Sequence, residues 1–202
     1  MEFLKIEKER FIMVMDALLA IIMTIMVLEI KIPDVESLSD QSLLHELHKA
    51  VTPLIGFIVS FGTLIMMWFS HNDLMKDIKG ICKPFALLNF LLILTMALVP
   101  FSTALGWGYS KTPLAVFLYA LNIFLVSAVF SLLYGYSIAK KLIPNSTSQF
   151  MKAKRIISVF GLILLAVAMG ISFLSPGPAL FLTAVIPVAH SIPVVFAYKF
   201  RS

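Results

Sequence analysis

The sequence predicts an all-α polytopic membrane protein with six transmembrane helices and both termini in the cytoplasm. Of its 202 residues, 60% are hydrophobic and 13% are charged, whereas soluble proteins are roughly half apolar and a quarter charged. The mean hydropathy is +0.98. Long apolar runs recur along the chain, and the segments between them alternate in charge. These observations favour several spans over a single anchor, and we expect residues 1–202 to form one six-helix domain.

Six apolar runs are each close to the roughly 20 residues that a helix needs to cross a bilayer. Prolines lie at or near their boundaries, where a helix begins or ends at little cost. The first run is too long for a removable signal peptide and has no small-residue cleavage site. The predicted spans cover residues 11–32, 53–71, 84–107, 112–138, 156–174 and 178–198.

Basic residues are concentrated in alternate segments. The N-terminus, the second loop, the fourth loop and the C-terminus are rich in lysine and arginine. The first loop is mostly acidic, the third has only Lys111, and the fifth has no charge. By the positive-inside rule, this alternation places both termini in the cytoplasm. The basic residues are scattered between spans and set orientation, so we do not expect nucleic acid as a partner.

Cysteine and histidine give weak signals for metal or redox chemistry. Cys82 is the only cysteine, which excludes an internal disulfide and leaves a thiolate metal site short of ligands. His45 and His48 lie three residues apart, but the motif is not HExxH and no third ligand is evident. A solvated amphipathic segment is therefore the preferred interpretation. We expect no metal site, no cofactor and no enzymatic activity.

A carboxylate within the first span requires an explanation. Asp16 lies between one and two helical turns into this run, and an unpaired carboxylate inside a membrane is costly. Polar residues at the end of the second span and near the start of the third lie at a similar depth. Buried polar groups are tolerated where they satisfy one another. The sequence therefore predicts a structural polar network near the inner surface, formed by Arg10, Asp16, Trp68, His71, Asn72 and Asn89.

Another face of the first span carries an apolar stripe with one hydroxyl. With about 100° per residue, residues at i, i+3, i+4 and i+7 lie on a single helix face. This spacing is that of Ile21, Thr24, Ile25 and Leu28. Asp16 points roughly 120–140° away from the middle of this stripe. From spacing alone, contact with lipid or with the protein core is the simplest interpretation of the stripe.

Residues in the first three spans also form a family pattern. They are Arg10 and Asp16 with the apolar run that follows, Trp68-x-x-His71-Asn72, and Leu88-Asn89 followed by Val99-Pro100-Phe101-Ser102. Together they resemble the transmembrane-protein-175 family of potassium channels, over roughly residues 8–138. The family signature in the first helix is Arg-x-x-x-Phe-Ser-Asp. Here Val14 and Met15 replace Phe-Ser, which removes one hydroxyl from the predicted network and puts the gating behaviour in question.

The resemblance implies a potassium-permeable channel in the plasma membrane, built from four copies around a central pore that the first helices line. One six-helix copy resembles the prokaryotic form, and no re-entrant filter loop is used. Ile21 occupies the family's constriction position, and Thr24, Ile25 and Leu28 would form further rings outward. A ring of apolar side chains gates by dewetting. The hydroxyl of Thr24 would contribute to a weak to moderate preference for K⁺ over Na⁺.

Two alternatives stay open on the sequence. A small secondary transporter usually places ionisable groups near the membrane midplane. No acidic residue follows Asp77 in this chain, which weakens that interpretation. The other alternative is a membrane assembly protein that conducts nothing.

Overall fold

The computed structural model describes residues 7–30 and 39–198, and it describes side chains in these ranges except at residues 46, 145–154 and 188–198. Every regular element within these ranges is a helix. The elements are α1 (Lys8–Ile25), a 3₁₀ turn (Met26–Glu29), α2 (Asp40–Asp77), α3 (Lys83–Ala97), α4 (Val99–Gly108), α5 (Pro113–Ala139), α6 (Asn145–Ser172) and α7 (Pro176–Tyr198).

Most of these helices are long and apolar enough to span a bilayer. Five such segments lie in the described chain: Lys8–Glu29, Asp40–Asp77, Lys83–Gly108, Pro113–Ala139 and Arg155–Ser172. The part of α7 whose side chains are described, Pro176–Pro187, is also apolar but is shorter than these segments. The predicted all-α, polytopic membrane fold is confirmed, while the cytoplasmic placement of the termini stays a prediction.

The third span differs from the predicted single helix because it consists of two. α3 ends at Ala97 and α4 begins at Val99, with Leu98 between them. Pro100 explains this break, since it has no N–H to donate to the carbonyl of Met96 and its ring collides with that carbonyl. Near the start of α4, where Pro100 lies, a backbone N–H needs no partner within the helix.

α2 is much longer than the predicted second span. It begins after Ser39, whose hydroxyl accepts a hydrogen bond from the Ser42 N–H at 3.2 Å. Its 38 residues extend for roughly 57 Å, almost twice the ~30 Å of the hydrocarbon core. The expectation that residues 40–52 are loop is therefore wrong. They are a helical extension beyond the apolar run.

The core is built around α5, and α1 lies at its periphery. Buried residues occur along the whole of α5, which packs against α3, α4, α6 and α7. α1 packs against α3, α2 and α4 on one side, and the rings of Phe11 and Phe90 meet edge to face with centroids 6.0 Å apart. This position leaves the other side of α1 uncovered by the described residues of the protomer.

Candidate functional site

The first helix turns one face to the protein interior. Its buried residues recur every three or four positions, which is the spacing of a single helix face. They are Phe11, Met15, Leu19, Ile22 and, in the 3₁₀ turn, Met26. This face joins the hydrophobic core, and it fixes which side of the helix is left outside.

The predicted stripe lies on the uncovered side of α1. The exposed fractions are 53% for Ile21, 47% for Ile25 and 75% for Leu28, and Thr24 is exposed as well. Met23 is half-buried and packs against the core. All four stripe residues are therefore available for contact with something outside the protomer, whereas Met23 is not.

Thr24 gives the stripe one oxygen acceptor. Its hydroxyl donates to the carbonyls of Ala20 at 3.0 Å and Ile21 at 2.9 Å. Because the proton points to the backbone, the lone pairs of the oxygen are left for another partner. A threonine bonded back to the preceding turn tends to bend a helix, and the backbone tightens into the 3₁₀ turn shortly afterwards, at Met26.

Four of the six residues predicted to form the polar network come together between α1, α2 and α3. Trp68 Nε1 donates to Asp16 Oδ1 at 2.9 Å. Asn89 Nδ2 donates to the Phe85 carbonyl at 2.8 Å, which leaves Asn89 Oδ1 as an acceptor. His71 Nε2 lies 2.7 Å from that oxygen and therefore carries its proton there. We refer to Asp16, Trp68, His71 and Asn89 as the inner polar cluster.

A small cavity lies next to Asp16, His71 and Asn89 of the inner polar cluster. Its volume of about 10 Å³ is near the minimum that one water molecule needs. The lining consists of Met15, Asp16, Leu19, His71, Asn89, Leu92, Ile93 and Met96. The Asp16 and His71 side chains thus border the same space. The Trp68–Asp16 bond joins α1 to α2, and the His71–Asn89 bond joins α2 to α3.

Arg10 and Asn72 take no part in the hydrogen bonds that form the inner polar cluster among the described residues. Arg10 is exposed and Asn72 is half-buried. Within the described residues, neither makes an ion pair or hydrogen bond with the cluster. The N-terminus of α1 is tied to α2 in another way, since Lys8 Nζ donates to the Lys76 carbonyl at 3.0 Å. Carbonyls in the last turn of a helix lack partners within it, so this contact satisfies one of them.

A further set of buried polar residues links α2, α4 and α5. Thr103 donates to Ser60 Oγ at 2.8 Å, and the Tyr119 hydroxyl lies 3.2 Å from the same oxygen. Ser102 donates to Asn122 Oδ1 at 2.8 Å, and Asn122 Nδ2 donates to a backbone carbonyl of α3 at 3.0 Å. These hydrogen bonds are not predicted from the sequence. The available signal was the presence of hydroxyl and amide side chains within otherwise apolar spans.

Two glycines allow these helices to approach closely. A Cβ added at Gly106 would lie 2.5 Å from Tyr119 Cβ, and one at Gly56 would collide with the Trp107 side chain. Neither position has room for a side chain. Gly56 and Gly106 therefore set the spacing of α2, α4 and α5, and through it the frame against which α1 packs.

Comparison with known proteins finds relatives that are named as ion channels. A family profile described as endosomal/lysosomal potassium channel TMEM175 matches residues 10–100. A protein of Chamaesiphon minutus named as a potassium channel is 28% identical over 169 residues, which is 79% of this chain and 81% of that protein. A rat protein named as an endosomal/lysosomal proton channel TMEM175 is 27% identical over 124 residues. The match covers 60% of this chain but only 24% of the rat protein.

A solved structure has a similar fold. It is the crystal structure of a lysosomal potassium-selective channel TMEM175 homolog from Chamaesiphon minutus, with a TM-score of 0.83 and 24% sequence identity. The alignment covers 93% of this chain and 97% of that one. At this identity the similarity concerns the fold alone.

Proposed function

We propose that this chain is a member of the transmembrane-protein-175 family and forms a potassium-permeable cation channel in the plasma membrane. Four copies would surround a central pore that the first helices line. The observation that carries the proposal is the uncovered stripe on α1. This stripe is apolar except for Thr24 and lies on a helix at the edge of the protomer.

The position of α1 suits a symmetric assembly. Its buried face is already satisfied by its own protomer, so the opposite face can meet copies of itself around an axis. In that arrangement, four Ile21 side chains would form the narrowest ring. The side chains of Thr24, Ile25 and Leu28 would follow along the passage.

The chemistry of the stripe favours weak to moderate potassium selectivity. An ion that passes an apolar ring must lose part of its hydration shell without a polar replacement, and K⁺ gives up water more readily than Na⁺. The Thr24 oxygen next to the ring can replace one of the lost water contacts, because its proton is already donated to the backbone. Selectivity would then arise without a filter of backbone carbonyls.

In this proposal the inner polar cluster serves the pore indirectly. Asp16 lies roughly 120–140° around the helix from the stripe, and its bond to Trp68 holds α1 at one rotation relative to α2. That rotation decides which side chains face the axis. Asp16 is therefore a positioning residue and not an ion ligand.

Flux measurements with the purified protein in liposomes test the proposal. A channel dissipates a potassium gradient far faster than a carrier turns over, with protein-free liposomes as the control. A slow flux that saturates with substrate would favour the secondary transporter, and no flux would favour the assembly protein. Either result would overturn the proposed function.

A further inference from the structure

We propose that His45 and His48 bind a divalent transition-metal ion with the preferences of imidazole, such as Zn²⁺, Ni²⁺ or Cu²⁺. The site would be separate from the proposed ion path and independent of it. The sequence alone favoured a solvated segment without a metal site. Two features of the structure change this interpretation.

The first feature is that both histidines lie on one continuous helix. They belong to the extension of α2 that precedes Pro53, and both side chains are exposed. Residues three apart on a helix are neighbours, with Cβ atoms about 5–6 Å apart. Helical metal sites use ligand pairs at this i, i+3 spacing. In a flexible loop, bringing the two rings together would cost conformational entropy, whereas the helix already holds them on one face.

The second feature is the tautomer of His48. Its Nδ1 lies 2.8 Å from the Leu44 carbonyl, and a carbonyl can only accept a hydrogen bond, so Nδ1 carries the proton. The lone pair is consequently on Nε2. Metal-binding histidines usually donate their other ring N–H to a carboxylate or a backbone carbonyl in this way, which fixes the ring and makes it a better ligand. His48 is thus prepared for a metal before one is present.

His45 would supply the second nitrogen. It makes no hydrogen bond within the described residues, so its ring can turn towards His48 without breaking a contact. Two imidazoles would fill two positions of a four-coordinate ion at about 2.0–2.1 Å, and water would fill the others. No group of three or more metal-binding side chains occurs in the described part of the chain. The site therefore depends on both histidines.

Isothermal titration of Ni²⁺ into the detergent-solubilised protein, with any purification tag removed, tests this proposal. We expect one ion per chain. His45→Ala and His48→Ala should each weaken binding by at least the roughly tenfold that loss of a supporting contact costs at metal sites. Gln41→Ala, an exposed residue one turn before His45, is the matched control and should bind as wild type does.

A relocated pair separates chelation from a general effect on folding. Gln41→His in the His48→Ala background places two imidazoles four residues apart, again on one face of α2. This variant should recover most of the wild-type affinity. The proposal is overturned if the wild-type protein binds no Ni²⁺, or if either single alanine variant binds as tightly as the wild type.

Discussion

The hydrogen bond between Trp68 and Asp16 is the most direct test of how the first helix is held. Asp16→Ala removes the acceptor that lies 2.9 Å from Trp68 Nε1. Leaving a buried donor without a partner costs about 1–3 kcal/mol. Because Trp68 is only half-buried, water can replace part of the lost bond. We therefore expect a loss of about 1–2 kcal/mol in the free energy of unfolding.

Thermal unfolding in detergent, read as the loss of monodisperse protein on size-exclusion chromatography, measures this change. A chain of this length loses about 2–4 °C in melting temperature for each kcal/mol, so Asp16→Ala should melt several degrees below wild type. Asp16→Asn is the matched control. It keeps an oxygen at the same place to accept from the indole, and it should retain most of the stability.

A double-mutant cycle then isolates the bond itself. Trp68→Phe removes the N–H, so Asp16→Ala should cost less in that background than in wild type, by about 1 kcal/mol. Equal costs in the two backgrounds would show that the bond contributes nothing. Wild-type stability of Asp16→Ala together with changed ion selectivity would place Asp16 in the ion path and refute its positioning role.

Three further predictions concern packing, selectivity and orientation. Gly106→Ala should destabilise the protein by about 1–3 kcal/mol through overpacking, because its Cβ would lie 2.5 Å from Tyr119 Cβ. The control is Gly62→Ala, whose Cβ meets no atom within 4 Å; this variant should melt at or above the wild-type temperature. Thr24→Val keeps the shape but removes the hydroxyl, and should lower the K⁺/Na⁺ permeability ratio measured from reversal potentials without lowering the melting temperature. A cysteine introduced at Thr147, in a variant without Cys82, should not be labelled by an impermeant thiol reagent in intact cells, because the positive-inside rule places residue 147 in the cytoplasm. Efficient labelling would show that the orientation is the reverse.

The approximate positions of the spans and the depth that Asp16 shares with Trp68, His71 and Asn89 were predictable, because depth in a membrane follows from sequence. A bilayer imposes a length on each apolar run, and that length places polar residues at comparable heights. Asp16 and Trp68 meet for this reason, as do His71 and Asn89.

Helix rotation was much less predictable. Apolar residues surround α3 and α5 on nearly all sides, so no amphipathic pattern indicates which way a polar side chain points. The hydrogen bonds of Ser60 with Thr103 and Tyr119, and the placement of Arg10 outside the inner polar cluster, depend on rotation and could not be derived from depth. The extension of α2 was missed because its polar composition is typical of a loop. A helix already formed by the apolar run extends at little cost, since its nucleation is complete.

The central claim is that the stripe on α1 forms the pore, and reversal potentials of Ile21→Asn channels in a K⁺/Na⁺ gradient test it most directly. An amide ring would partly replace the hydration that an ion loses and would keep water in the constriction. We expect higher conductance, a lower K⁺/Na⁺ permeability ratio and an unchanged melting temperature. Met23→Asn, on the face that packs against the core, should instead lower the melting temperature and leave the permeability ratio nearly intact. Wild-type conductance and selectivity in Ile21→Asn, or the same behaviour in both variants, would contradict a pore lined by the first helix.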